Sequence, residues 1–240
     1  MIDLSKHTKE TVGKLFDHSV LPKDVTEDDI RSGCKEAVEY GCASFYSSSL
    51  YWVPVMKEEL AGSDVLIATG IGFPFGNGTP EVKAFETEKA VEAGCQALDL
   101  TMNIGALKDR RYNVVEEELR LFKTLASGAL TKVILETCFL TDPEIVEGCK
   151  LIAAAGIDYA KTSTGQFDGP SLEQVLLMKK TLENTSVKIK VAGVKPPRPQ
   201  NAYCFIMAGA ELIGTRSAPQ IIDAFDQMRE IGIIPPYRPD

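Results

Sequence analysis

An α/β chain closing as a single (β/α)8 TIM barrel is the fold class that three observations predict. Eight short apolar or β-branched runs recur along the 240 residues, their starts lie roughly 23 to 36 residues apart, and amphipathic stretches with helix-start signals fill the gaps. That spacing is the length of a strand plus its crossover helix, and eight such units are the usual size of a barrel. An open doubly wound sheet is the competing arrangement.

The runs are GKLFDH (13–18), CASFY (42–46), VLIATG (65–70), ALDLTM (97–102), KVILE (132–136), IDYAK (157–161), VKIKVA (187–192) and ELIGT (211–215). A helix over about 1–12 is expected to precede the first. Thr26 with Asp29, Thr141 with Glu144 and Ser171 with Gln174 have the spacing of N-terminal capping boxes, and Thr79-Pro80 suits an N-cap followed by the first helical position. After the first strand, Ile30, Cys34, Ala37 and Val38 make one apolar face. The second, fourth, sixth and eighth strands follow Tyr40-Gly41, Ala93-Gly94, Ala155-Gly156 and Ala208-Gly209. Each pair suits a helix C-cap, and the recurrence is either a two-strand repeat or the ordinary use of glycine there. One domain over 1–240 is expected, with an exposed proline-rich tail from about 232.

With 26 Lys and Arg against 34 Asp and Glu, the net charge is −8, and no dense basic run marks a nucleic-acid or anionic-membrane surface. The partner class left is a small molecule or a protein. Six cysteines without a C-x-x-C, and only His7 and His18 beside them, predict small buried thiols in a reducing compartment rather than a metal site. No secretory signal and no apolar run of about 18 residues is present, so a cytoplasmic protein is expected.

In such a barrel the chemistry sits where strands end. Polar residues gather there: Asp17, His18 and Ser19 after the first run, Tyr46 to Ser49 after the second, and Asp99, Thr101 and Asn103 at the fourth. Glu136 and Thr137 end the fifth, Lys161 the sixth, and Thr215, Arg216 and Ser217 the eighth, while Lys190 lies within the seventh. Lys161 and Lys190 stand in apolar runs, where an ammonium is costly unless it is paired or loses its proton. One reading is two salt-bridged lysines held by Asp99 or Asp17. The other makes one lysine a nucleophile whose pKa is brought down by burial and by the second, with Asp99 placed to move protons.

The stretches FDHSVLPKDVTEDDI (16–30), GIGFPFGNGTPEVKAFETEKAVEAG (70–94), LDLTMNIGALK (98–108), KVILETCFLTD (132–142), AGIDYAKTSTG (155–165) and AGAELIGTRSA (208–218) resemble the deoxyribose-phosphate aldolases, a class I family on this barrel. The resemblance implies a Schiff-base lysine at Lys161, a pKa-depressing lysine at Lys190, and Asp99 with a water as proton relay. It implies Asp17 near the site and Ser19 where a threonine is usual. The reaction implied is reversible cleavage of 2-deoxyribose 5-phosphate to acetaldehyde and glyceraldehyde 3-phosphate. No cofactor or metal is implied beyond the covalent lysine imine, and a homo-oligomer such as a dimer is expected.

Ser48, Asn103, Thr137 and Thr164 are further candidate substrate contacts. For the phosphate, the resemblance implies backbone amides at Gly165 and Gly193 and a pair of serines after the last strand. Here the second of two expected glycines is Val194, followed by Lys195, and the first serine is Arg216, with Ser217 retained. Arg216 and Lys195 either bind the phosphate by charge, recognise another anion, or point to solvent. A related aldolase or transaldolase-like enzyme with another substrate, or a non-catalytic sugar-phosphate-binding barrel, are the competing functions. His18 is read as a structural histidine, Trp52 as packing, and Tyr237 either as part of a frayed end or as a proton donor over the mouth.

Overall fold

The computed structural model describes residues 2–239. Its eight strands are β1 (Phe16–Val20), β2 (Ser44–Ser47), β3 (Leu66–Ile71), β4 (Ala97–Thr101), β5 (Leu130–Ile134), β6 (Tyr159–Lys161), β7 (Lys188–Ala192) and β8 (Leu212–Thr215). Each pairs in parallel with the next, and β8 returns to β1, so the sheet closes into a barrel. Every predicted run overlaps one of these strands, and β4, β6, β7 and β8 lie wholly within theirs. Around them lie α1 (Lys9–Val12), α2 (Glu27–Glu39), α3 (Val53–Glu59), α4 (Pro80–Ala93), α5 (Ile104–Lys108), α6 (Tyr112–Leu125), α7 (Asp142–Ala154), α8 (Leu172–Leu182), α9 (Pro199–Ala208), α10 (Ala218–Asp223) and α11 (Phe225–Glu230). Among the described residues no helix is long and apolar enough to cross a membrane.

The helix-start signals operate as their chemistry predicts. Reciprocal capping boxes form at Thr26/Asp29, Thr141/Glu144 and Ser171/Gln174, and Thr79-Pro80 opens α4. Gly41, Gly94, Gly156 and Gly209 all have positive φ between a helix and an even-numbered strand. On α2, Ile30, Cys34 and Ala37 are buried against the sheet, whereas Val38 is turned outward and exposed. Four cysteines are buried and all six are free thiols, but Cys138 is half-buried and Cys204 exposed, which narrows the expectation of buried thiols.

The start of the chain differs from expectation, while the tail is mostly exposed as expected but held in place. In place of one helix over about 1–12 there are a 3-10 turn at Leu4–Lys6, the single turn of α1 and a second 3-10 turn at Gly13–Leu15. The Asp3 carboxylate accepts the Ser5 N–H and closes the first turn, His7 is extended, and Thr8 starts a new helix, so local capping outcompetes one continuous helix. The tail is tied down rather than loose. Ile234 is buried, the Arg238 N–H donates to the Ser5 carbonyl at 2.9 Å, and the Arg229 guanidinium donates to the carbonyls of Leu4, His7 and Pro235. Tyr237 lies over Arg229 in this seam with the N-terminal segment, not over the barrel mouth.

Two apolar regions divide the molecule. The larger lies between sheet and helices and includes Phe16, Phe45, Phe122, Tyr203 and Phe225. A small one of Tyr46, Ala68 and Ala97, with Leu21, Leu66 and Leu130, forms apart from it. The register sets Tyr46 beside Ala68, Ala68 beside Ala97, and Ala97 beside Leu130, one row of side chains sharing a face of β2 to β5.

Candidate active site

Alternation along the strands puts five charged side chains into one buried cluster: Asp17 from β1, Asp99 from β4, Lys132 from β5, Lys161 from β6 and Lys190 from β7. The register sets Asp99 beside Lys132, and Lys161 beside Lys190. Each of the five is at most 4% exposed, so each charge depends on its partners. The Lys190 ammonium lies 2.6 Å from Asp17 and 2.8 Å from Asp99. Lys161 lies 2.7 Å from Asp99, and Lys132 lies 3.2 Å from Asp99 and 3.6 Å from Asp17. Gly214 makes room for this, since a Cβ there would stand 3.0 Å from Cε of Lys190.

Three amines share two carboxylates, so full ionisation leaves one positive charge in excess. The amine with the fewest partners yields first. For Lys161 the largest influence is burial, which pushes the pKa down; Asp99 pulls it up, Lys190 and Lys132 push it down, and it comes to about 8. Burial also works against the charge on Lys190, but two carboxylates overcome it and hold its pKa above the ordinary lysine value. Burial would raise both carboxylates. Lys132, Lys161 and Lys190 instead hold Asp99 well below its usual range, and Lys190 and Lys132 hold Asp17 below its own. The site thus pairs a lysine that gives up its proton near neutrality with one that keeps it.

The cluster floors an open cleft of about 630 Å³ at the C-terminal ends of the strands. Asp17, Lys161 and Lys190 reach it directly, while Asp99 lies behind them. Ser19, Thr164, Gly165, Gly193 and Val194 line its sides, with exposed Arg216 at the rim. Gly165 and Gly193 have φ of 84° and 76°, and a Cβ on Gly193 would crowd Ser163 and Gly169 at 3.2 and 3.3 Å. Lys195 also borders the cleft, yet its ammonium donates to the Phe167 carbonyl at 2.7 Å, which fastens its loop to the one after β6. Arg216 is therefore the rim cation left to meet an anion.

Four of the expected contacts do not line this cleft. Ser48 lies just beyond β2, half-buried. The Asn103 side chain accepts the Ala106 N–H as the cap of α5, and its own N–H donates to Glu118. The Thr137 N–H donates to the Thr162 carbonyl at the start of a 3-10 turn, and Ser217 precedes α10 with its N–H donated to the Thr215 hydroxyl. Each stands one to three residues past a strand, where the chain is already turning toward its helix. His18 faces outward to Glu36 at 2.9 Å, and burial pushes its pKa down. Trp52 packs edge-on against Tyr51.

Three supporting residues were not among the expected contacts. Lys132 opens the run KVILE, where a solvated end is the ordinary reading of a lysine; only the period-2 register from Lys132 turns it inward. Glu136 adopts a left-handed backbone (φ 51°), and its carboxylate accepts the Thr164 N–H at 3.0 Å, bracing the loop after Lys161. Buried Lys83 pairs with Glu118 and donates to the carbonyls of Gly76 and Thr101, binding the loop after β3 to the end of β4.

A closed α/β barrel carrying this lysine and carboxylate cluster under its C-terminal mouth defines a barrel aldolase. The sequence model of the DeoC/LacD family aldolases matches residues 11–195, and the chain belongs to that family. It is 44% identical over 218 residues to the deoxyribose-phosphate aldolase of Geobacillus sp. (strain WCH70), covering 90% of this chain and 96% of that one. It is 41% identical over 214 residues to that of Listeria monocytogenes, covering 88% and 95%. Among solved structures, the tetrameric deoxyribose phosphate aldolase of Aeropyrum pernix superposes with a TM-score of 0.83 at 28% identity, covering 92% of this chain and 93% of that chain.

Proposed function

We propose that the protein cleaves 2-deoxy-D-ribose 5-phosphate reversibly to acetaldehyde and D-glyceraldehyde 3-phosphate, through an imine on Lys161. The observation that carries this reading is the placement of Lys161, buried at the floor of the cleft beside Lys190 and 2.7 Å from Asp99, where burial and the neighbouring charge push its pKa down. Neutral Lys161 attacks C1 of the open-chain sugar, and loss of water leaves an iminium. Removal of the C3 hydroxyl proton then breaks the C2–C3 bond, and its electron pair passes into the iminium to give an enamine. Protonation of that enamine at C2 and hydrolysis return acetaldehyde and free Lys161. Lys190 keeps Lys161 short of protons by its charge, and Asp99 is the group beside both amines through which a water can move them. Gly165, Gly193 and Val194 supply small walls and backbone amides to the phosphate, with Ser19 and Thr164 along the sugar. No cofactor enters these steps. The chain works in the cytoplasm as a homo-oligomer such as a dimer, an assembly that light scattering of the purified protein tests.

The rate of imine formation is expected to rise with pH through a midpoint near 8. At pH 7 about a tenth of Lys161 is then neutral, against less than about a thousandth for an ordinary lysine. Stopped-flow measurement of imine formation from pH 6 to 10 checks this, and a midpoint above about 10 would refute the assignment.

Arg216 selects the anion. Arg216→Ser is expected to raise KM for the phosphorylated sugar about tenfold and to leave cleavage of unphosphorylated deoxyribose unchanged. Equal loss on both substrates would count against a phosphate contact. A related aldolase with another anionic substrate would cleave the phosphorylated sugar poorly even with Arg216 in place, and a non-catalytic barrel would gain thermal stability with ligand yet form no imine.

A further inference from the structure

The steps above leave Tyr46 without a part. This side chain is 2% exposed, lines the cleft from β2, and presents its ring to both amines, with the centroid 5.0 Å from the Lys161 nitrogen and 5.5 Å from that of Lys190. Its hydroxyl lies at the β3 wall, where a Cβ on Gly70 would collide with it, and it has no hydrogen-bond partner among the described residues. The amines therefore see the ring face and not the oxygen. They also see it in a cluster that holds three amines for two carboxylates, where a source of negative potential without a charge has something to offset.

We propose that Tyr46 is a positioning residue of the Schiff-base reaction: its π face stabilises the nitrogen of Lys161 in its cationic iminium form over the neutral amine and enamine. This rests on the Schiff-base reading given above. Amine, carbonyl and one proton give iminium and water, and the nitrogen carries the positive charge. Loss of a proton from the adjacent carbon to a base, or departure of the product aldehyde with its electron pair left behind, gives the neutral enamine. A ring face attracts only the charged member of each pair. It therefore shifts the balance toward the species that begins cleavage and the one that is finally hydrolysed. The same face favours protonated Lys161 before substrate binds, so removing it should move the amine titration to lower pH.

The test compares the wild type with Tyr46→Phe, with Tyr46→Met, and with trifluorophenylalanine in place of Tyr46, which keeps the ring's shape and cancels its negative face. Each is incubated with sub-saturating acetaldehyde at pH 9, where the free Lys161 amine is mostly neutral, and trapped with borohydride, which reduces iminium but not amine or enamine. The pH midpoint of imine formation and the melting temperature are read alongside. Tyr46→Phe is expected to match the wild type. The methionine and trifluorophenylalanine proteins are expected to trap about five- to tenfold less iminium, with the midpoint lowered by up to about one pH unit. Wild-type trapping and midpoint in both would show that the ring only fills space, and loss in Tyr46→Phe equal to theirs would assign the effect to the hydroxyl; either overturns the proposal. If methionine prevents folding, the isosteric fluorinated ring still decides. Absence of trapping in the wild type would instead overturn the Schiff-base reading, and this inference with it.

Discussion

Lys161→Met is expected to leave the protein unlabelled after acetaldehyde and borohydride and to lower kcat/KM for cleavage by at least about four orders of magnitude, because nucleophile and electron sink disappear together. The same variant should fold at least as stably as the wild type. Removing Lys161 takes away the excess positive charge and still leaves Asp99 with Lys190 at 2.8 Å and Lys132 at 3.2 Å. Urea unfolding and peptide mass analysis of the trapped protein check the two halves separately. Label that persists on another lysine, or activity within tenfold of wild type, would remove Lys161 from its role.

The other end of the same ion pair should behave in the opposite way. Asp99→Asn removes the one carboxylate that touches all three amines, leaving Asp17, which neighbours Lys190 and Lys132, to balance a buried cluster. Breaking a buried pair in this manner costs about 3–5 kcal/mol, and unfolding by urea at pH 7 should show a loss of that size. Activity falls as well, since the proton path beside Lys161 is gone. With Asp99 no longer pulling its pKa up, any remaining imine formation should have its midpoint below 8. An unchanged unfolding midpoint would mean that the amines are already neutral in the folded protein, against the raised pKa of Lys190.

The contrast between these two variants bears on what could be read without coordinates. Lys161 and Lys190 stand out in the sequence because each interrupts an apolar run, and apolar runs locate strands well. Lys132 does not stand out, because it opens the run KVILE, where a lysine is ordinary; β5 in fact starts two residues earlier, which makes Lys132 a mid-strand residue whose inward direction follows from the register. Tyr46 was legible as a border residue of the Tyr46–Ser49 segment, but not as a ring facing two amines. Asn103 and Ser217 show the opposite case: polar residues after a strand read as mouth residues, whereas the turn into the next helix commits the Asn103 side chain and the Ser217 amide to local bonds, and the Thr137 amide goes to the Thr162 carbonyl beyond β6. The anchoring of the two chain ends to each other was not legible for a related reason, since Arg229 bonds the carbonyls of Leu4 and His7 across more than two hundred residues of separation.

The reactive amine is assembled from strands that lie far apart in the chain. Asp17 reaches the cluster from β1 and pairs with Lys190, the neighbour of Lys161, and β1 meets β8 only when the sheet closes. Before closure Lys161 lacks its dry surroundings, and Lys190 beside it lacks the Asp17 carboxylate that holds its charge, so Lys161 is chemically close to one more surface lysine. Its chemistry at neutral pH is thus a clock for the final event of folding. An aldehyde present while the chain refolds marks only molecules that have joined their first strand to their last.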